Sequence, residues 1–122
     1  MTNARFEQFR QYIESRLADA DFKLPEVARN FRVSDRYVRR VFECSHENVS
    51  RYVLRRRLEL SALKLLDPDF RELTILTIAL DCGFSGAAYF SRSFRRRFGM
   101  MPSAYRRVRH RPAPSAQSLP AA

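Results

Sequence analysis

An internal repeat limits what this chain can fold into more than any other feature. Residues 37–42 (YVRRVF) and residues 89–94 (YFSRSF) share the pattern Tyr-apolar-x-Arg-x-Phe. Upstream, each copy has an aliphatic residue before alanine, then an apolar residue before serine: Val27-Ala28 and Val33-Ser34, Ile78-Ala79 and Phe84-Ser85. The second copy has one extra residue near Gly86. This self-similarity predicts two copies of one supersecondary unit.

Each copy has the pattern of a helix-turn-helix unit. A short helix carries a small residue, Ala28 or Ala79, where the second helix crosses closely. A tight turn then ends in an apolar residue that fills the core, Val33 or Phe84, and a serine follows as helix cap. The second helix keeps one face apolar and exposes the other. In such units the second helix enters the DNA major groove, with its N-terminal half near the base edges.

Apolar residues recur at helical spacing almost throughout, and strand-like alternation is nearly absent. We therefore predict an all-α fold of about seven helices. They cover about residues 3–17, 24–31, 35–43, 49–66, 75–81, 86–98 and 102–108. Ser34 and Thr74 are predicted helix caps, and Pro68 and Gly99 mark helix ends.

These helices predict two small helix-turn-helix subdomains, residues 5–48 and 67–109, joined by a long central helix over residues 49–66. Together they form one predicted DNA-binding domain, residues 1–109. The remaining residues, 110–122, are rich in proline, alanine and serine, and we predict a disordered tail.

The formal net charge of +10 predicts a polyanionic partner. The 23 basic residues include only two lysines, Lys23 and Lys64, so 21 are arginine. The planar arginine fork matches phosphate oxygens and the guanine edge. A GC-rich genome would also raise the share of arginine, but it would not explain the net charge.

The sequence argues against a metal site or an enzyme. Cys44 and Cys82 lack CxxC spacing, and the two histidines, His46 and His110, do not complete a zinc ligand set. The chain has no carboxylate cluster, no nucleophile paired with histidine and no glycine-rich phosphate loop. We predict no cofactor and no metal. Without an apolar run of about 18 residues or a signal peptide, we predict a cytoplasmic protein without membrane contact.

The second copy closely resembles the DNA-binding domain of the AraC/XylS family of transcriptional regulators. The resemblance covers about residues 5–107. Its strongest part is residues 78–79, 83–85, 89–99 and 102–106. The first copy and the central helix agree at Val33, Ser34, Arg36, Tyr37, Val38, Arg40, Val41, Phe42, Tyr52, Arg57, Leu58, Ala62, Leu65 and Leu66.

The resemblance implies a bacterial transcription regulator, an activator, whose partners are double-stranded DNA and RNA polymerase. Its recognition helices, residues 35–43 and 86–98, would enter adjacent major-groove segments about 34 Å apart, which predicts a site of about 17–20 bp. Most members carry a preceding effector-binding and dimerisation domain that is missing here. The chain is then either an excised domain or one of the minority that act as the DNA-binding domain alone.

Four positions depart from the family pattern. Arg32 and His46 stand where glycine is usual, Thr77 replaces a glutamate that completes a capping box, and Met101 replaces a serine. A positive φ at Arg32 would be strained, so we expect its turn to differ slightly.

In the first recognition helix, the resemblance assigns base contacts to Arg36, Arg39 and Arg40. The alternative is that one of them holds only phosphate or pairs with Asp35 or Glu43. The second recognition helix offers Ala87, Ala88, Ser91 and Arg92. Because alanine can contact only a thymine methyl, we expect few base contacts there, mainly from Arg92, and we expect the first helix to dominate specificity.

Phosphate contacts are predicted for a second set of residues. We assign this role to Ser34, Arg95, Arg96, Arg97 and Arg106; the alternative for each arginine is a solvated charged surface. Residues 55–57, all arginine, remain ambiguous, since one could contact DNA while another pairs with Glu59. Two other functions stay open: a nonspecific nucleic-acid binder driven by charge, and a protein-interaction module.

Overall fold

The structure, a computed structural model, describes residues 2–110. Within that range all regular secondary structure is helical, and the prediction of an all-α fold is confirmed. The helices are α1 (Thr2–Arg16), α2 (Leu24–Phe31), α3 (Asp35–Glu43), α4 (Val49–Leu66), a short 3-10 helix (Pro68–Phe70), α5 (Ile75–Asp81), α6 (Ala87–Phe98) and α7 (Pro102–His110).

The helix boundaries lie close to those predicted, with two differences. The Pro68–Phe70 segment, expected only to end α4, forms the 3-10 helix because the Asp67 side chain accepts a hydrogen bond from the Asp69 N–H (2.9 Å). α7 continues through His110 instead of ending at residue 108, which corrects the prediction of a disordered tail at that residue. The rest of the predicted tail, residues 111–122, lies outside the described residues.

The first subdomain has its own hydrophobic core. Phe9, Ile13, Val27 and Val38 are fully excluded from solvent, and the buried rings of Phe42 and Tyr52 lie 6.0 Å apart. They come from α1, α2, α3 and the N-terminal half of α4. The helical periodicity therefore placed the inward faces correctly.

The second subdomain has a separate core around a chain of aromatic rings. The Phe94 centroid lies 5.6 Å from Phe90, 4.6 Å from Phe98 and 5.2 Å from Tyr105. Phe90 and Phe94 are fully buried, whereas Phe98 is only partly buried. Leu60 of α4 packs against both cores. Since α4 serves both subdomains, it is structurally the centre of the chain.

An ion-pair network ties α1 to α4 and stiffens this arrangement. The Glu14 carboxylate accepts hydrogen bonds from Arg56 Nε (2.9 Å) and from the Tyr52 hydroxyl (2.7 Å). These donors hold the pKa of Glu14 below its usual value, with Arg56 the larger cause. Arg56 also donates to Glu59, one turn along α4 (2.7 Å).

Two non-glycine residues adopt left-handed backbone conformations. Arg32 has φ 56° and ψ 46°, and His46 has φ 62°. Both stand where the family usually has glycine. The turn at Arg32 therefore keeps the glycine conformation instead of relaxing away from it, because its N–H and the Val33 N–H bond back to α2 carbonyls, the latter at 3.0 Å from Ala28 O.

Replacing Arg32 with glycine is expected to stabilise the protein. Relief of left-handed strain outweighs the greater freedom of glycine in the unfolded chain, so the free energy of unfolding should rise by about 0.5–1 kcal/mol. Urea unfolding followed by circular dichroism measures this. Arg29→Gly is the matched control: Arg29 lies inside α2, where glycine should cost about 1 kcal/mol. If both substitutions changed the free energy of unfolding in the same direction, the strain argument would be contradicted.

Candidate nucleic-acid interface

The exposed surface of α3 carries three predicted base-contacting arginines. α3 begins at its N-cap Ser34, whose Oγ accepts a hydrogen bond from the Tyr37 N–H (3.0 Å). Val38, Val41 and Phe42 turn inward, which leaves Arg36, Arg39 and Arg40 exposed on the other side. The structure therefore places the three arginines on one solvent-facing surface of a short amphipathic helix.

The guanidinium groups of these three α3 arginines are free of intramolecular polar contacts in the described part of the chain. Within the described side chains, residues 4–108, none of them forms a hydrogen bond or an ion pair with a protein group. The alternative ion pairs with Asp35 or Glu43 are therefore not formed in this structure. Three cations with free donors on one helix face can contact either phosphates or guanine edges.

The exposed surface of α6 offers shorter side chains. Gly86 is its N-cap, Ala87 and Ala88 are exposed in the first turn, Ser91 is partly buried and Arg92 is exposed. Phe90, Ser93 and Phe94 form the buried side. The small residues let α6 approach another surface closely, and Arg92 is the long cationic side chain at its centre.

Tyr89 is a candidate contact that the sequence analysis missed. Tyr89 is 53% exposed, while its counterpart Tyr37 is 39% exposed and packs on Phe9. The Tyr89 ring lies 6.2 Å from Phe84, and Tyr89 follows the exposed Ala88 in the first turn of α6. The extra residue in the second repeat is the signal that could have indicated a different orientation.

The last turns of α6 carry the predicted phosphate-contacting arginines. Arg95, Arg96 and Arg97 are all exposed. Arg97 stacks over Phe98 (5.0 Å to the ring centroid) and lies 3.8 Å from a Glu59 oxygen. Arg95 and Arg96 have no such partner among the described residues. Ser34, the remaining predicted phosphate contact besides Arg106, is exposed and uses its oxygen as the α3 cap.

Arg106 has a different position from the one expected for a phosphate contact. Its Nη1 donates to the carbonyl oxygens of Leu73 (2.8 Å) and Phe70 (3.3 Å), so it holds α7 against the segment before α5. We therefore leave Arg106 out of the proposed phosphate contacts.

The three arginines at residues 55–57 are all held by the protein. Arg55 pairs with Glu47 and with Glu59, as anticipated for one of the three, and Arg56 pairs with Glu14. Arg57 donates to backbone carbonyls instead. Within the described residues, this run of α4 thus differs from Arg36, Arg39 and Arg40 of α3, which keep their donors free.

Comparison with known proteins decides the family. A family model described as a helix-turn-helix domain matches residues 27–108. The transcriptional activator RhrA of Rhizobium meliloti is 36% identical over 104 residues, which cover 85% of this chain and 33% of RhrA. The regulatory protein SoxS of Salmonella typhimurium is 36% identical over 89 residues, covering 72% of this chain and 80% of SoxS. The chain belongs to the AraC family of helix-turn-helix regulators.

Solved structures agree with this assignment. The C-terminal domain of AraT, a response regulator from Geobacillus stearothermophilus, superimposes with a TM-score of 0.79 at 30% identity, covering 90% of this chain and 89% of that one. An AraC-type transcriptional regulator from Chromobacterium violaceum gives 0.78 at 25% identity, covering 91% and 96%. This AraC-family chain is a transcription-regulator DNA-binding domain and not an enzyme. It spans about a third of RhrA.

Neither a membrane-spanning helix nor a metal site is present in the part of the chain that the structure describes. No helix in that range is long and apolar enough to cross a membrane. The described side chains, residues 4–108, contain no cluster of histidine, cysteine or carboxylate groups that could bind a metal ion.

Proposed function

We propose that this AraC-family domain binds a specific double-stranded DNA site of about 17–20 bp with α3 and α6 in adjacent major-groove segments. One observation carries the proposal: within the described part of the chain, Arg36, Arg39 and Arg40 of α3 and Arg92, Arg95 and Arg96 of α6 are exposed without a hydrogen bond or ion pair. The arginines at residues 55–57 of α4, by contrast, are tied to carboxylates and carbonyls. Free guanidinium donors on a helix that fits the groove suit base and phosphate contacts.

In this proposal α3 determines most of the sequence preference. Arg36, Arg39 and Arg40 contact base edges, with guanine as the preferred partner of a bidentate arginine. Ala87, Ala88 and Ser91 allow close approach of α6 to the groove, and Arg92 makes its main base contact. The two half-sites are then unequal, although the two units share one architecture.

The phosphate contacts lie mainly at the C-terminal end of α6. Arg95, Arg96 and Arg97 neutralise backbone charges, and Ser34 can donate its hydroxyl proton while its oxygen caps α3. Such contacts orient the protein without distinguishing sequences, and each makes the affinity more sensitive to salt. The net charge of +10 supports an electrostatic contribution to DNA affinity.

Selection of bound duplexes from a random library tests the proposal, followed by gel shifts on the selected and a scrambled duplex at rising salt. We expect an affinity ratio of about 10³ or more between the two duplexes. Each base change under α3 should weaken binding by about 5- to 150-fold, and changes under α6 should cost less. A ratio near one would show a charge-driven binder, and a more sensitive α6 half-site would contradict the asymmetry.

The wider role is also a proposal. We propose that the domain acts in the bacterial cytoplasm as a transcriptional activator that contacts RNA polymerase at promoters. Support comes from the relative RhrA, which is described as a transcriptional activator. In vitro transcription from a promoter carrying the selected duplex, with and without the protein, distinguishes activation from repression. The separate effector-binding and dimerisation domain stays a prediction.

A further inference from the structure

The two subdomains meet at a small junction of three segments. Arg57 of α4 donates from Nε to the Leu17 carbonyl (2.8 Å) and from Nη2 to the Asp19 carbonyl (2.8 Å). Both carbonyls belong to the turn that follows α1, in the first subdomain. Gly83 of the second helix-turn-helix lies directly against the Leu17 carbonyl and the Arg57 guanidinium.

Gly83 fits this place for two physical reasons. Its φ of +94° is a conformation that residues with a side chain rarely adopt. A Cβ at this position would also collide with the Leu17 carbonyl oxygen and lie 2.5 Å from Arg57 Nε. The turn between α5 and α6 can therefore approach the end of α1 only because residue 83 has no side chain.

The Arg57 side chain makes its hydrogen bonds at this junction. It is partly buried, and that burial lowers the pKa of its guanidinium. The Asp19 carboxylate accepts hydrogen bonds from the Asp21 N–H (2.9 Å) and from Arg16 (2.6 Å). The hydrogen-bond partners of Arg57 are instead the backbone carbonyls of Leu17 and Asp19 just after α1, which carry partial negative charge. Tyr89 of α6 and Arg57 line the same cleft, which places the second recognition helix next to the junction.

Beside the junction the subdomains are separated by a cleft of about 320 Å³. Phe22, Leu24 and Val53 line it from the first subdomain, and Phe84 and Tyr89 line it from the second. Because the subdomains are apart there, the Arg57 contacts bridge them over a narrow area. The hydrogen bonds of Arg57 then fix the orientation of one subdomain relative to the other, because side chains do not pack across the cleft.

We propose that Arg57 is a positioning residue that fixes α6 relative to α3 and thereby sets the spacing of the two DNA half-sites. This inference rests on the proposed function, since it assumes that both helices contact DNA. One base pair inserted between half-sites rotates one against the other by about 35° and moves it by about 3.4 Å. A rigid pair of recognition helices must then lose its contacts with one half-site, whereas a flexible pair can reorient and keep both.

The DNA test uses the selected duplex, the same duplex with one or two base pairs inserted between the half-sites, and the α3 half-site alone. For the wild-type protein we expect one inserted pair to cost about thirtyfold in affinity, and for Arg57→Met about threefold, because a flexible link tolerates more spacings. Affinity of Arg57→Met for the α3 half-site should remain within about twofold, since α3 is untouched. Arg57→Lys, which keeps the charge without the fork, should be intermediate.

Arg55→Met is the matched control. It removes the same charge from the same helix, but Arg55 pairs with Glu47 and Glu59 and lies over the Tyr52 ring, away from the junction. Its spacing preference should equal that of the wild type. If Arg57→Met kept the wild-type preference, or lost affinity equally for every duplex including the half-site, the positioning role would be overturned.

A DNA-free measurement separates this inference from the proposed function. Spin labels on the exposed native Cys44 and on an introduced Ser103→Cys report the distance between subdomains, while Cys82 is buried. Double electron–electron resonance should give a narrow distance distribution for the wild-type background and a clearly broader one with Arg57→Met. An unchanged width would refute the inference. If the wild type bound all duplexes equally, the proposed function would fail, and the widths would still decide whether Arg57 fixes the subdomains.

Discussion

Replacing Arg39 and Arg40 together with alanine should abolish most of the sequence preference of this AraC-family domain. Both side chains are exposed on α3 and lack hydrogen-bond or ion-pair partners among the described residues. A bidentate arginine–guanine contact contributes about 1–3 kcal/mol of discrimination, so losing two should lower the ratio of selected to scrambled affinity about thirtyfold or more. Fluorescence anisotropy with both duplexes at one salt concentration measures that ratio.

The control for this double variant removes two positive charges elsewhere. Arg10→Ala with Arg71→Ala has the same net charge, but Arg10 lies on α1 and Arg71 follows the 3-10 helix. We expect this control to weaken both duplexes alike and to leave their ratio unchanged. If both double variants gave the same ratio, α3 would be contributing charge alone, and the assignment of base contacts to it would be wrong.

Truncating Phe94 to alanine should have the largest effect on stability. The Phe94 ring is fully buried and contacts Phe90, Phe98 and Tyr105. Buried Phe→Ala substitutions cost about 3–5 kcal/mol, since transfer free energy is lost and a cavity remains. Because a domain of this size has a total stability of about 5–15 kcal/mol, we expect the second subdomain to be partly unfolded at 37 °C. Urea unfolding at 25 °C and proteolysis measure both effects.

Leu63→Ala is the control for this stability prediction. Leu63 lies on α4 and is 64% exposed, so its loss should change the free energy of unfolding by less than about 0.5 kcal/mol. A similar cost for the two variants would mean that the cavity at Phe94 closes by repacking, which would contradict the observed density of rings around it.

Much of the fold could be predicted because its signals are local. The helical period placed the buried faces, and Ser34, Thr74 and Gly99 marked boundaries that the backbone keeps. The capping prediction at Thr77 shows the limit of such reasoning. Without the usual glutamate, its hydroxyl lies 2.9 Å from Thr74 Oγ1, and its N–H still bonds to that oxygen.

The candidate site was predicted only in part. Helical periodicity identified which arginines of α3 and α6 are exposed, because exposure on an amphipathic helix follows from the local pattern. It could not show that Arg106 bonds to carbonyls about 35 residues earlier, nor that Tyr89 is exposed. These outcomes depend on how separate helices pack, which no short segment encodes.

The sequence by itself determined the repeat, the helices, the cationic character and, through its motifs, the AraC family. Only the tertiary structure decided how the two repeats are placed relative to each other. That placement depends on Arg57, Leu17 and Gly83, which are far apart in the chain. They meet only after α1, α4 and the turn between α5 and α6 have packed together. A repeat defines each unit through local periodicity, but the orientation between units is set by contacts at long sequence separation.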